Sequence, residues 1–178
     1  MLGITASPSP LAPTPIQEWA PRAGDQLVID TQETVGYLIH PNGTYTAFPV
    51  ATGQRRTVHY IGRVYNATTP ERQWTVQSTH IKGDRTTFGP TGKFLRLYID
   101  GESTPYGIHG HRSSVKMLAE DERFRSMGCI IVSEEILTII EQTYELNSNT
   151  LEVTTTYGLE KLLTDLVAHI TPGTPQKG

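Results

Sequence analysis

Residues 93–111 of the chain read KFLRLYIDGESTPYGIHGH. The first part, Lys93–Asp100, alternates apolar and polar side chains with a period of two, as a strand with one buried face does. The later part, Tyr106–His111, predicts a short strand or a strand end and places His109 directly before a glycine. We therefore expect Lys93–Asp100 to be a central strand and the ring of His109 to face open space at a strand end.

Strands predominate in the rest of the chain as well. Apolar alternation and β-branched residues predict them at Gln26–Asp30, Val35–His40, Thr44–Val50, Trp74–His80 and Thr150–Tyr157. The turn residues Pro41, Asn42 and Gly43 join the second and third of these strands, so the chain is expected to open with an antiparallel meander. Residues 51–92 are otherwise expected to be rich in loops, with a long irregular connection at Gly83–Gly92.

One segment has the clear pattern of a helix. Ser133–Leu146 begins with a serine in the N-cap position, carries acidic residues in its first turn and repeats apolar residues every three to four positions. Ser114–Asp121 predicts a shorter helix capped by a serine, and Leu159–Ile170 has the pattern of an amphipathic tail helix. The predicted fold class is mainly β, a sandwich or flattened barrel with one principal α-helix.

The length of 178 residues suits one domain with short tails, and we expect a monomer. Residues 1–24 are interpreted as a flexible linker rich in Pro, Ser and Thr, residues 25–157 as the folded domain, and residues 158–178 as a tail. The linker has neither the basic start nor the apolar run of a secretory signal. Any signal or anchor is therefore expected to lie outside this sequence.

Composition excludes several kinds of partner and site. A formal net charge of −3 and a pI near 6.1 give no electrostatic reason to expect nucleic acid or an anionic membrane. No run of 18 apolar residues is present, so no transmembrane segment is expected. The single cysteine, Cys129, excludes a disulfide within the chain and a zinc site of four cysteines.

The residues with chemical potential form two short motifs, YGIHG at 106–110 and SMGCI at 126–130. An imidazole can withdraw the proton of a neighbouring thiol, and the resulting thiolate is a nucleophile. The backbone N–H groups of Gly128 and Cys129 are candidates for an oxyanion hole, because glycine lets the backbone approach a ligand closely. No acidic residue is near the histidine in sequence, so the Gly110 carbonyl is the candidate to orient its ring.

Sixteen residues separate His109 from Ser126, and this order and spacing resemble the L,D-transpeptidase catalytic domain, in which His-Gly precedes Ser-x-Gly-Cys by a similar interval. The segment Phe88–Pro90 ahead of a strand, the opening meander and the last strand also have counterparts in that family. The likeness covers roughly residues 25–157.

The resemblance implies an enzyme that joins peptidoglycan stem peptides. Members form a thioester between a cysteine and an L-centre, release a terminal D-amino acid and pass the acyl group to the amine of a second stem. The likeness implies Cys129 as nucleophile, His109 as general base and Gly110 as the residue whose carbonyl orients that base. The likeness also implies that Ser126 and Gly128 shape the turn and the oxyanion pocket. The predicted substrate-binding residues are Tyr106, Ser126, Met127 and Gly128.

The same resemblance implies the setting of the reaction. It implies no metal and no organic cofactor, and it implies an extracytoplasmic location in the periplasm or cell wall. Carbapenems acylate the cysteine of this family, so one adduct on Cys129 is expected.

Two positions depart from the family pattern. The family most often has His, Lys or Arg where this chain has Met127, and usually Arg or Asn where it has Ile131. An arginine at the second position is a fixed cation that can hold a carboxylate or brace the turn, and isoleucine does neither. The candidates to supply the missing charge are Arg112, Arg123 and Arg125.

Other interpretations of the same residues stay open. Cys129 can be an inert core residue, as single cysteines often are. His109 and His111 share one face of a strand and, with Cys129, would make a zinc site of three ligands. In the same cleft, water can resolve the thioester in an L,D-carboxypeptidase, or the protein can be a wall-binding module without turnover. Tyr106 can line the substrate cleft or pack beneath its strand.

Overall fold

A computed structural model describes residues 12–160 and arranges them in a mainly β fold. The strands are β1 (Gln26–Asp30), β2 (Val35–Ile39), β3 (Tyr45–Pro49), β4 (Thr52–Gly53), β5 (Thr57–Tyr60), β6 (Arg63–Asn66), β7 (Arg72–Ile81), β8 (Lys93–Ile99), β9 (Glu102–His109), β10 (Phe124–Ser126), β11 (Ile130–Ile131) and β12 (Leu151–Thr156). The helices are α1 (Arg85–Phe88), α2 (Ser114–Ala119) and α3 (Glu134–Leu146), with a short 3₁₀ helix at Ile16–Glu18.

Eight strands form one curled sheet in the order β11-β9-β8-β7-β12-β1-β2-β3. The segment predicted as a central strand is β8, which pairs antiparallel with β7 on one side and β9 on the other. The opening meander is confirmed, since β1, β2 and β3 pair antiparallel in succession. Parallel pairs join β1 to β12 and β11 to β9. The predicted mainly β class is confirmed.

The principal helix is confirmed as α3, which has 13 residues against four in α1 and six in α2. The Ser133 hydroxyl caps it by accepting the backbone N–H of Ile136 at 3.2 Å. On its apolar face, Leu137 and Ile140 are fully buried in a core shared with the sheet. Burying each such side chain contributes about 1.5–3 kcal/mol. The core therefore holds α3 against one face of the sheet.

The alternation along β8 separates this core from the opposite face of the sheet. Leu95 and Leu97 are buried in the core with α3. Phe94 and Arg96 occupy the intervening positions, so their side chains leave the strand on the other side. Phe94 lies directly opposite His109 of β9. The histidine is thus carried on the face of the sheet away from α3.

Residues 51–92 contain more regular structure than the sequence predicts. β5 and β6 form a separate two-stranded hairpin, β7 has ten residues, and α1 lies within the segment predicted to be irregular. The hairpin turns through Ile61 and Gly62, which both have positive φ. Hairpin turns of this kind usually contain Asn-Gly or Asp-Gly, whereas isoleucine rarely adopts a positive φ. The sequence Ile61-Gly62 therefore does not predict the turn.

Part of the segment interpreted as a linker packs against the folded domain. Trp19 is 7% exposed and stacks on the ring of His40 with 3.8 Å between centroids. The buried Asp25 carboxylate accepts the backbone N–H of Arg22 at 2.8 Å. The Asp25 carboxylate also lies 2.5 Å from Nδ1 of His40, so Trp19 and Asp25 both attach this segment to the meander.

The strand β9 is longer than the sequence predicts. β9 begins at Glu102, earlier than predicted, because Asp100 and Gly101 both have positive φ and turn the chain directly back from β8.

The predicted tail helix Leu159–Ile170 lies almost wholly outside the described residues. Within residues 12–160, no helix is long and apolar enough to cross a membrane.

Candidate active site

The parallel pairing of β9 with β11 brings the two motifs together. Ile108 lies opposite Ile130, and His109 lies opposite Ile131. Cys129 directly precedes β11, so it stands beside the last residues of β9. His109 and Cys129 both line a cleft of about 220 Å³. Two residues that are 20 positions apart in sequence thus share one cleft because two strand ends are hydrogen-bonded to each other.

The ring of His109 is held in one orientation. It is 4% exposed and packs against Phe88 and Phe94, with ring centroids 5.0 and 5.9 Å away. Its Nδ1 lies 2.5 Å from the Gly110 carbonyl oxygen, which can only accept a hydrogen bond. Nδ1 therefore carries the proton, and Nε2 of the neutral ring is left as the basic nitrogen.

Burial has the largest influence on the pKa of His109, and it lowers that pKa. The carbonyls of Gly110 and Thr87 oppose this shift because they stabilise the protonated form of the ring, while the neighbouring charge of His111 adds to it. The net direction is downward, so the imidazole is neutral and able to accept a proton at neutral pH.

Cys129 is partly exposed, and its sulfur lies 4.0 Å from the carbonyl oxygen of Pro105. Burial raises the pKa of the thiol. The backbone N–H of Gly107 and the positive charge of Arg96 act in the opposite direction but do not cancel this effect. The cysteine therefore rests as a thiol and needs a base to become a nucleophile. The interpretation as a sealed core residue does not fit this position in a cleft.

The turn before Cys129 is closed by Ser126. Its hydroxyl donates to the carbonyl of Cys129 at 2.5 Å and accepts the backbone N–H of Gly128 at 3.1 Å. Because this hydrogen bond occupies the N–H of Gly128, the N–H of Cys129 is the remaining oxyanion candidate of the predicted pair. Gly128 has φ of +120°, and a Cβ there would lie 2.6 Å from Cε1 of Tyr106. Only glycine suits this position.

Tyr106 and Met127 have different surroundings. The ring of Tyr106 packs beneath Gly128 and meets the edge of Trp74 with 5.5 Å between centroids. The structure thus shows the packing alternative for this ring, and a role in substrate binding stays a prediction. Met127 lines the cleft, where its sulfur accepts the side-chain N–H of Gln54 at 3.6 Å.

Thr69 is a site residue that the sequence does not indicate. Its side chain is buried, its hydroxyl donates to the carbonyl of Gly128 at 2.9 Å, and it accepts the backbone N–H of Gly53 at 2.9 Å. It thereby fastens the turn before Cys129 to β4. No pattern around Thr69 predicts this contact, because its partners are 16 and 59 residues away.

The carboxylate of Glu134 lies against the glycine that follows His109. One carboxylate oxygen, Oε1, is buried against the Cα atoms of Gly89 and Gly110, and the other accepts the Thr91 hydroxyl at 2.7 Å. A side chain at either glycine would collide with this carboxylate. The close approach of this carboxylate thus requires glycine at both positions, one of which is the residue that follows His109.

Ile131 fills the position at which the family usually has a polar side chain. It is 3% exposed and lies beside His109 in the wall of the cleft. Its backbone N–H and carbonyl both bond to Ala51, at 2.8 and 2.9 Å. Ile131 thus makes this wall apolar and adds to the burial of the histidine ring.

The three arginines considered as replacements for a missing cation have separate roles. Arg123 donates to the backbone carbonyls of Val50, Glu120, Glu33 and Thr34. Arg125 lines the cleft and forms an ion pair with Glu120. Arg112 is exposed and does not line the cleft. Of the three, only Arg125 brings positive charge to the site.

The alternative zinc site required His109, His111 and Cys129 to converge. His111 lines the rim of the cleft, and its Nδ1 accepts the backbone N–H of Ser113 at 3.0 Å. Over the range 12–160, no three His, Cys, Asp or Glu side chains are arranged to hold a metal ion.

A comparison with known protein families identifies the family of the chain. The YkuD family model, the L,D-transpeptidase catalytic domain, matches residues 24–174. The chain therefore belongs to the L,D-transpeptidase catalytic domain family. No curated protein sequence matches the chain.

Two solved structures show the same fold. An L,D-transpeptidase from Xylanimonas cellulosilytica has 19% identity and a TM-score of 0.53, over 76% of this chain and 61% of that one. Bd1075 from Bdellovibrio bacteriovorus has 12% identity and a TM-score of 0.54, over 84% of this chain and 56% of that one. The chain thus spans about three fifths of the length of these structures.

Proposed function

We propose that this chain is a peptidoglycan L,D-transpeptidase in which Cys129 is the nucleophile and His109 the general base. The observation that carries the proposal is that both side chains line one cleft in a chain of this family. The substrate is a peptidoglycan stem peptide, and the protein acts on the cell wall in an extracytoplasmic compartment.

In the first half of the reaction, Nε2 of His109 accepts the thiol proton while Sγ of Cys129 attacks the carbonyl carbon of the L-centre. The backbone N–H of Cys129 donates to the developing oxyanion. The bond to the terminal D-amino acid then breaks, and His109 returns the proton to the departing amine. The acyl group remains on Cys129 as a thioester.

In the second half, the amine of a second stem peptide attacks the thioester carbonyl. His109 removes a proton from this amine, the carbon–sulfur bond breaks, and the thiolate recovers its proton from the imidazolium. Neutral resting groups suit both halves, since His109 must accept a proton at the start of each. The Gly110 carbonyl holds the ring in place throughout.

The test uses a tetrapeptide stem with and without a diamino acceptor, analysed by mass spectrometry. A cross-linked dimer is expected with the acceptor present. Tripeptide alone would instead indicate an L,D-carboxypeptidase, and no product at all would indicate a binding module without turnover.

The matched control is Cys129→Ser, which keeps the size of the side chain but is expected to lose all product. A carbapenem should add one adduct to the wild-type chain and none to this variant. Product formation by a folded Cys129→Ser protein, checked by circular dichroism, would remove Cys129 from the mechanism.

A further inference from the structure

The cleft that contains Cys129 continues past the β5–β6 hairpin. Tyr60 and Met127 line both this cleft and a neighbouring one of about 460 Å³. Arg125 lines both the Cys129 cleft and a third cleft of about 430 Å³. Gln54 and Arg56 line both of the outer clefts. We call the two outer clefts, which meet at Gln54 and Arg56, the hairpin groove.

The guanidinium of Arg56 is oriented before any ligand binds. Its Nε and Nη2 donate to the side-chain oxygen of Gln54 at 3.0 and 2.7 Å. Gln54 in turn donates to the sulfur of Met127, two residues before Cys129. The backbone around Arg56 is also held, since its carbonyl accepts the N–H of Ala67 at 3.1 Å. An exposed cation is thus fixed at a defined place relative to the candidate nucleophile.

The other two arginines of the groove are already engaged. Arg55 lies between the rings of Phe124 and Tyr157, at 4.3 and 4.2 Å from their centroids, and donates to a backbone carbonyl. Arg125 is paired with Glu120.

Arg56, in contrast, is bound to a neutral amide oxygen. Glu122 lines the third cleft, but within the described part of the chain it forms no ion pair with Arg56. The charge of Arg56 is therefore not neutralised inside the groove. A guanidinium fixed on one edge, with its remaining N–H groups in an open groove, is suited to bind a carboxylate.

The size of the groove indicates which part of a donor it fits. The group that leaves in the proposed reaction is a single amino acid, whereas each outer cleft exceeds 400 Å³. The groove thus suits the longer part of the donor, on the N-terminal side of the acylated L-centre. A glutamate linked through its side chain carries a free α-carboxylate in that part of a stem peptide, and amidation removes its charge.

We propose that the hairpin groove is a subsite for the donor stem peptide and that Arg56 binds a free carboxylate on the N-terminal side of the acylated residue. This inference rests on the proposed function, since it assumes that the donor reaches Cys129. It makes the amidation state of the donor a determinant of binding.

The experiment measures binding separately from turnover. Two synthetic tetrapeptide stems, identical except that one has this carboxylate and the other an amide, are titrated calorimetrically into the Cys129→Ser protein. We expect the carboxylate peptide to bind about tenfold more tightly, as one charge-assisted contact allows. Arg56→Gln added to Cys129→Ser should abolish the preference, and Arg56→Lys should restore part of it.

The matched control is Arg63→Gln, because Arg63 is an exposed arginine of the same hairpin that lines none of the three clefts. It should keep the full preference. Equal binding of the two peptides by Cys129→Ser, or an unchanged preference in Arg56→Gln, would overturn the inference. If the preference depends on Arg56 but the wild-type chain forms no product, the proposed function fails and the carboxylate subsite stands.

Discussion

At the scale of single residues, burial decides the resting state of the candidate site. It lowers the pKa of His109 and raises the pKa of Cys129, which are the directions that keep both groups uncharged. The candidate pair is therefore a neutral imidazole and a neutral thiol that line the same cleft. A thiolate–imidazolium pair would instead require the pKa of Cys129 to lie below that of His109.

This state predicts how the thiol reacts at different pH values. Because the pKa of Cys129 is raised above its ordinary value of 9.0, alkylation by iodoacetamide should be slow at neutral pH and should rise with pH beyond that value. Mass spectrometry of the modified chain gives the rate, with a small cysteine peptide as the control. Reactivity that already reaches its maximum near neutral pH would show an ion pair and contradict the neutral resting state.

At the scale of elements, the site is assembled by contacts between strands and the turns that follow them. β9 and β11 bring the two motifs side by side, and β8 supplies the ring that packs on His109. Thr69, in the connection between β6 and β7, joins β4 to the turn before Cys129. The turn is thus held by a hydroxyl from a segment that contributes no chemistry.

The change Thr69→Val tests this connection. Valine has nearly the same shape but leaves the Gly53 N–H and the Gly128 carbonyl without their partner, and each buried orphan costs about 1–3 kcal/mol. We expect the free energy of unfolding in urea to fall by about 1–3 kcal/mol or more. Thr68→Val is the matched control, because Thr68 is partly exposed and its hydroxyl bonds only to nearby Asn66. Equal stability of the two variants would contradict this role for Thr69.

At the scale of the whole molecule, one arginine links parts of the chain that are far apart in sequence. Arg123 donates to carbonyls of the β1–β2 turn, to Val50 after β3 and to Glu120 after α2. Arg123 thereby connects the segment before Cys129 to the meander, which lies at the opposite edge of the sheet from β11.

The change Arg123→Gln should therefore destabilise the entire fold. Hydrogen bonds from a charged donor contribute about 1.5–3 kcal/mol, and the shorter glutamine cannot reach the same carbonyls. We expect the free energy of unfolding to fall by about that amount, measured by urea denaturation. Arg112→Gln, at an exposed arginine nearby in sequence, should change it by less than about 0.5 kcal/mol. A loss no larger than this in Arg123→Gln would show that the four contacts are not structural.

Local patterns in the sequence were enough to predict the elements that depend on neighbouring residues. Alternation predicted β8 and the meander, and the serine cap with its apolar repeat predicted α3. The motifs around His109 and Cys129 predicted the candidate pair, because their order and spacing are visible along the chain. The hairpin at residues 57–66 was missed, because its turn uses an isoleucine in a conformation that this residue rarely adopts.

The tertiary structure alone determined the contacts between residues whose neighbours in sequence do not predict them. The packing of Tyr106 beneath Gly128, the carboxylate of Glu134 against Gly110 and the engagement of Arg123 by four carbonyls all depend on how the sheet curls. The same holds for Arg56, which bonds to a neutral amide while the arginines around it are occupied. Sequence spacing determines which face or end of an element a residue occupies. Burial and charge compensation arise only when separate elements pack together, and they set the chemistry of the site.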